Sequence, residues 1–344
     1  KLIIEDNKRE AILLCKYISK ATEYNNVQIT RIAISTKDSL IDYYGHKQLK
    51  EICSIENKQK EKNYSLEELM KQLNSLIGLK KVKSKVNDLI AFQKIQLMRK
   101  AKGLHSPKNT MHLAFTGNPG TGKTTVARIV GRIYKEIGLL SKGHFIEVSR
   151  TDLIAGYQGQ TALKVKEVIG KAKGGVLFID EAYSITENEH SDSYGRECLT
   201  ELTKALEDYR QDLVVIVAGY PKPMEKFFES NPGLKSRFNS FIVFDNYNEN
   251  ELFDILQNIC NKEDYILSDD LKREIKNYLR KEVLNEEEQF SNGRFIRNLF
   301  EEMIIQQARR LYTCESLKIE DLKTLCTDDF KMNVSINEDK NKKL

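Results

Sequence analysis

No stretch of this 344-residue chain approaches the ~18–20 consecutive apolar residues that a membrane-spanning helix requires. The longest apolar runs, Val176-Leu-Phe-Ile179 and Leu213-Val-Val-Ile-Val-Ala218, have the length of strands, which excludes a helical span. A strong charge of either sign is also missing. The 55 Lys+Arg against 50 Asp+Glu leave +5, a mildly basic balance that does not by itself mark a nucleic-acid binder. The six cysteines (Cys15, Cys53, Cys198, Cys260, Cys314, Cys326) lie far apart, with no Cys-x-x-Cys pair and no nearby His, unlike a disulfide framework or a zinc site. They point to a reducing cytoplasm. No signal-peptide pattern follows Lys1, and a first residue other than Met suggests a piece of a longer protein. Internal repeats and low-complexity segments are absent. What is present, 40% hydrophobic and 31% charged residues, supplies one sizeable core and a smaller one and excludes a disordered or collagen-like chain.

Four regions are expected. Residues 1–64 form an accessory region, with helical periodicity in Arg9–Ile18, strand material around Val27–Ile34 and a charged linker at Glu56–Asn63. Residues 65–245 open with a capping-box pattern, Ser65 with Glu68, and a basic helical stretch over Lys80–Lys102. From Met111 they alternate strands (Met111–Thr116, His144–Val148, Val176–Asp180, Leu213–Ala218, Phe241–Phe244) with helices, which calls for a parallel sheet covered on both faces. Residues 246–330 carry helical periodicity with no comparable strands, a separate helical domain, and residues 331–344 read as a flexible tail. The bases of Lys80–Lys102 read as the solvated face of an amphipathic helix, because no aromatic platform interleaves them.

The sharpest signal is Gly117-Asn-Pro-Gly-Thr-Gly-Lys-Thr124, a full G-x-x-x-x-G-K-[ST] motif set between a strand and a helix. Backbone N–H groups along Asn118, Pro119, Gly120, Thr121, Gly122 and on to Thr125 can curl around phosphate oxygens, apart from proline's, which has none. Lys123 reaches the β- and γ-phosphates, and Thr124 can hold Mg²⁺. A hydrophobic strand ending in acids supplies the other half, Val176-Leu-Phe-Ile-Asp180-Glu181. Asp180 would hold the Mg²⁺ shell and Glu181 would orient or deprotonate the attacking water, a pairing that argues for hydrolysis rather than transfer to a bound acceptor. Asn261-Lys-Glu-Asp264 matches the guanine-reading N-K-x-D pattern but follows a helical segment where that pattern needs a strand, so it reads as coincidence.

Together these segments resemble the AAA+ ATPases: a P-loop parallel sheet sandwiched by helices, followed by an α-helical lid. The stretches Ile77–Val82, Gly156–Thr161, Gly174–Tyr183, Asp212–Tyr220 and Ser230–Phe238 are similar to the branch containing red-type Rubisco activase and stage V sporulation protein K. The resemblance covers about residues 65–325. It implies that Ile77 and Gly78 pack adenine, favouring ATP with Mg²⁺ over GTP. It implies that Arg237 is an arginine finger reaching a neighbouring subunit's nucleotide, and that Arg294 senses the γ-phosphate, with Arg297 in reserve. Tyr157 falls in the pore loop that grips an extended polypeptide, and Glu187–Tyr194 in a second pore loop. Lys164 and Lys166 either add charge near that channel or are solvated helix positions. The polar residue many members carry after the fourth core strand is missing at Val217–Pro221; Tyr220 is a candidate for that role, which stays unassigned.

The resulting expectation is a cytoplasmic ATPase that assembles with itself into a ring, expected to be a hexamer, and remodels a protein client whose identity the sequence does not give. A nucleic-acid motor on the same core is the alternative, drawing on the Lys80–Lys102 bases but lacking a helix-turn-helix or aromatic platform. A nucleotide-gated scaffold without sustained turnover is a third, opposed by Glu181 and Arg237.

Overall fold

The computed structural model describes residues 64–105, 110–157, 159–186, 193–238, 240–284, 290–312, 314 and 316–330. The accessory region up to residue 63, most of the second pore loop and the tail therefore lie outside the described residues. The chain divides into two units at Tyr64/Ser65, and the second, from Ser65 onward, holds the sheet and the helical domain.

Helix α1 (Leu66–Ser75) starts at the capping box: Glu68 N donates to Ser65 Oγ at 3.2 Å and Ser65 N to Glu68 Oε2 at 2.8 Å. Helix α2 (Lys80–Ala101) buries Val82, Val86 and Ile90. The α/β layer then runs β1 (Leu113–Gly117), α3 (Lys123–Glu136), β2 (Phe145–Val148), α4 (Arg150–Leu153), α5 (Gln160–Ala172), β3 (Val176–Ile179), α6 (Ser193–Asp208), β4 (Val214–Gly219), α7 (Pro221–Glu229), α8 (Pro232–Lys235) and β5 (Ser240–Phe244). The five strands are all parallel in the order β2-β3-β4-β1-β5.

Strands β3 and β4 are buried on both faces, which is why they read as unbroken apolar runs rather than alternating ones. One face, with Ala114, Leu177, Ile179, Val215 and Val217, packs on Val165, Ile169, Leu199 and Leu202 of α5 and α6. The other face is covered by α3. Register pairs Ile179 with Val217 and Thr116 with Gly219, so the loops leaving β3, β4 and β1 emerge side by side at the carboxyl edge, where ligands bind in open α/β sheets.

A second core belongs to α9 (Glu249–Lys262), α10 (Asp269–Leu284) and α11 (Gly293–Tyr312), packed through Leu252, Leu256, Leu271, Ile275, Ile296 and Met303. This helical domain also carries a two-residue parallel pair that the periodicity did not announce, β6 (Ile266–Leu267) with β7 (Thr324–Leu325). Two residues are too few to show a period.

His112, at the foot of β1, is fully buried. Its Nδ1 accepts from Val215 N at 3.0 Å, which leaves the proton on Nε2 to donate to Leu206 O at 2.9 Å. Burial, against the pull of the Leu206 carbonyl and of Glu207, brings its pKa down to about 4 from 6.5. Between those values the unfolded chain takes up a proton that the folded chain refuses, so acidification removes roughly 3 kcal/mol through this group. Chemical denaturation of wild type and His112→Gln should show the wild-type advantage at neutral pH shrinking by that amount towards pH 4. A gap independent of pH would mean that His112 titrates as a solvated imidazole.

Candidate nucleotide-binding site

A cleft of about 710 Å³ opens where the carboxyl edge of the sheet meets the helical domain. Its apolar end is made by Leu76, Ile77 and Leu79 from the turn between α1 and α2, and by Ile255 and Ile259 from one face of α9. Its polar end is the turn Pro119–Thr125, joined by Asp180 and Glu181 after β3, Gly219 and Tyr220 after β4, and Arg294 and Arg297 from α11. Thirteen of the residues singled out from the sequence therefore meet in one cleft: Ile77, Pro119, Gly120, Thr121, Gly122, Lys123, Thr124, Thr125, Asp180, Glu181, Tyr220, Arg294 and Arg297.

Gly120 is at φ +70, and a Cβ there would lie 2.3 Å from Ser291 O and 2.7 Å from Arg294 N, so no larger residue fits between the turn and α11. Lys123 opens α3, and its Nζ donates to Gly117 O at 2.7 Å and Asn118 O at 2.8 Å. Burial lowers its pKa to about 8; Asp180 and Glu181 pull it up, while the charge of Arg294 pushes it further down. A partly buried ammonium beside a guanidinium at a helix N-terminus fits a polyphosphate, which would satisfy both cations at once. The hydroxyl of Thr124 and the carboxylate of Asp180 are hard oxygen donors in the same cleft. Among the described residues no group of three or more His, Cys, Asp or Glu could hold a metal ion alone, so a divalent ion here would share its shell with phosphate oxygens and water.

Glu181 adopts φ +48, a left-handed conformation that non-glycine residues seldom take, and its N–H donates to Asp180 Oδ1 at 3.1 Å. Such backbone strain clusters at functional positions.

Two of the sequence candidates stand just outside the lining. Gly78 (φ +62) is covered by Glu251, whose Oε1 lies 2.6 Å from where a Cβ would be. Asn118 turns its amide away, donating from Nδ2 to Asn246 Oδ1 at 3.1 Å. Arg237, in the turn after α8, is also outside this lining: its Nη1 donates to Gly233 O at 2.6 Å and its Nε lies 3.9 Å from Glu207 Oε2. Tyr157, between α4 and α5, is 74% exposed. Lys164 donates to Thr151 O at 2.6 Å and Ile154 O at 3.0 Å, and Lys166 lies 3.5 Å from Glu201 Oε2. Lys262 of the N-K-x-D coincidence lines the cleft, but from the last turn of helix α9 rather than after a strand.

Tyr247 escaped the sequence reading. It is buried, its hydroxyl donates to Thr121 O at 3.1 Å, and burial raises its pKa to about 12, so it remains a donor at neutral pH. Nothing within Asp245-Asn-Tyr-Asn248 signals a contact 126 residues away.

Residues 113–246 match the ATPase family associated with various cellular activities (AAA), and residues 248–341 match the AAA lid domain. Stage V sporulation protein K of Bacillus subtilis is 37% identical over 314 residues, 91% of this chain and 96% of that protein. The chain belongs to the AAA+ ATPase family. A second relative of this AAA+ ATPase, the chloroplastic ribulose bisphosphate carboxylase/oxygenase activase of Cyanidioschyzon merolae, is 37% identical over 271 residues, 78% of this chain and 92% of that one. Among solved structures, the AAA domain of FIGL-1 in complex with ADP superposes with a TM-score of 0.54 at 18% identity, covering 76% of this chain and 82% of that one, a likeness of fold. The cleft thus lies between the AAA domain and the lid of a nucleotide-binding ATPase. Among the described residues no helix is long and apolar enough to cross a membrane.

Proposed function

We propose that this ATPase hydrolyses ATP with Mg²⁺ in a ring, expected to be a hexamer, in which each nucleotide site is completed by a neighbour, and that hydrolysis pulls on a protein client. In this reading Ile77 and its apolar neighbours receive adenine, with Gly78 keeping the turn close to Glu251. The backbone of Asn118–Thr125 and Lys123 hold the phosphates. Thr124 and Asp180 hold the Mg²⁺, which supplies charge neutralisation for the phosphoryl group when bound. Glu181 positions the attacking water and accepts its proton, and Arg294 follows the γ-phosphate from the lid. Arg237 stands outside the lining of its own chain's cleft, which supports a role on the neighbouring subunit's nucleotide.

The observation that carries the pulling function is Tyr157. It is a large aromatic at 74% exposure, next to Gly156, around which a Cβ would meet nothing within 4 Å. An aromatic left unpacked on a loop joined to α5 and α4 is placed to touch something outside the chain. The relative named an activase of ribulose bisphosphate carboxylase/oxygenase acts on a protein, which supports a polypeptide as the client. The basic face of α2 lends little to a nucleic-acid motor: Lys81 pairs with Asp245 at 2.8 Å, and Lys83 donates to Leu76 O and Asn74 O. Among the described residues Cys198, Cys260, Cys314 and Cys326 form no disulfide, which supports a cytoplasmic setting.

An unfolded polypeptide is expected to raise ATP turnover of the wild-type chain, and Tyr157→Phe should keep that increment while Tyr157→Ala loses it. Stimulation by DNA that persists in Tyr157→Ala, with none from polypeptide, would replace the remodeller with a nucleic-acid motor.

A further inference from the structure

The segment that delivers Arg294 to the cleft is fastened to the phosphate-binding turn by an asparagine. Asn292 is fully buried, sits at φ +47 and precedes α11 by one residue. Its Oδ1 accepts from Tyr247 N at 2.9 Å. Its Nδ2 donates to Asn246 Oδ1 at 2.9 Å, to Phe290 O at 2.9 Å and, more weakly, to Pro119 O at 3.3 Å. Asn246 Oδ1 in turn accepts from Asn118 Nδ2, so three side-chain amides connect the phosphate-binding turn, the end of the sheet domain and the lid. Gly293 N donates to Gly120 O at 3.1 Å beside them.

Arg294 itself is exposed, so packing does not fix its long side chain; its backbone position must. That position is set two residues upstream, where the Asn292 amide meets donors and acceptors of matching polarity. Aspartate has the same shape but would turn an oxygen towards three acceptor oxygens. We infer that Asn292 is the positioning residue for Arg294: it locks the start of the lid helix to the phosphate-binding turn so that the guanidinium faces Lys123 and the γ-phosphate. The inference rests on the reading of Arg294 as the γ-phosphate sensor. Asn292 touches no nucleotide; it acts through the arginine.

Steady-state ATP turnover of the full chain tests it through Asn292→Gly, which keeps the positive φ and removes the amide. Asn292→Gly is expected to lower kcat by about 10- to 100-fold with less than about threefold change in KM. If Asn292 acts through Arg294, the double variant Asn292→Gly/Arg294→Ala should be no slower than Arg294→Ala alone, within about twofold. Multiplied losses in the double variant, or a wild-type rate in Asn292→Gly, would overturn the inference while leaving the role of Arg294 intact. A wild-type rate in Arg294→Ala would remove the sensor reading and the inference together. Melting temperature and binding of a fluorescent ADP report whether Asn292→Gly folds. Should it not fold, Asn246 reads the same link: Asn246→Leu removes the shared acceptor and reproduces the loss. A wild-type rate in Asn246→Leu would then overturn the proposal.

Discussion

Replacing Glu181 with Gln is expected to cut ATP hydrolysis by about 100-fold or more while ATP binding persists. The amide is nearly isosteric, so the φ +48 backbone and the hydrogen bond from Glu181 N to Asp180 Oδ1 survive, but the group no longer accepts a proton from water. Lys123, Thr124 and the cradle around Gly120 are untouched, which is why affinity should change little. Fluorescent-nucleotide titration and phosphate release on the same preparation separate the two quantities. Hydrolysis that continues in Glu181→Gln would move the general base elsewhere in the cleft, with Asp180 the nearest carboxylate.

Arg237→Ala should be the second large effect, a loss of about 10³-fold in turnover with binding retained. The guanidinium has few holds in its own chain: one hydrogen bond to Gly233 O, an ion pair at 3.9 Å with a half-exposed Glu207, and a buried Nε that makes no hydrogen bond among the described residues. A pair at the 3.9 Å limit with a half-exposed carboxylate contributes at most about 1 kcal/mol, and a phosphate of the next subunit would give the unbonded Nε an acceptor. Because the arginine works only after assembly, wild-type specific activity should also fall on dilution below the concentration at which rings form. A turnover per subunit independent of concentration, together with an active Arg237→Ala, would place all catalytic groups within one chain.

What could be read from the sequence is what lies close along the chain. The phosphate-binding turn, the apolar strand ending in Asp180-Glu181 and the capping box at Ser65 are each short segments whose residue types and spacing impose their geometry. The parallel sheet was legible because β3 and β4, buried on both faces, cannot alternate. The unread parts depend on distant partners. Tyr247 reaches Thr121, and Asn292 reaches Pro119 from 173 positions away, through amides and carbonyls that every sequence contains in number. Gly78 sits at φ +62 facing the side chain of Glu251, a neighbour that only the folded lid supplies. Lys164 was open between a channel charge and a solvated position, and is instead committed to two carbonyls at the end of α4. After β4, Tyr220 lines the cleft beside Gly219, and its ring lies 5.8 Å from that of Tyr183.

The most direct measurement is ATP turnover in a mixture of two inactive variants, Glu181→Gln and Arg237→Ala. A subunit carrying Arg237→Ala retains its own Glu181, and a Glu181→Gln neighbour can lend it Arg237. If the nucleotide site is completed between subunits, mixing and reassembly restore part of the wild-type rate, rising and then falling with the mixing ratio. Turnover that stays at the sum of the two separate residual rates, in rings shown to contain both variants, would contradict a shared site.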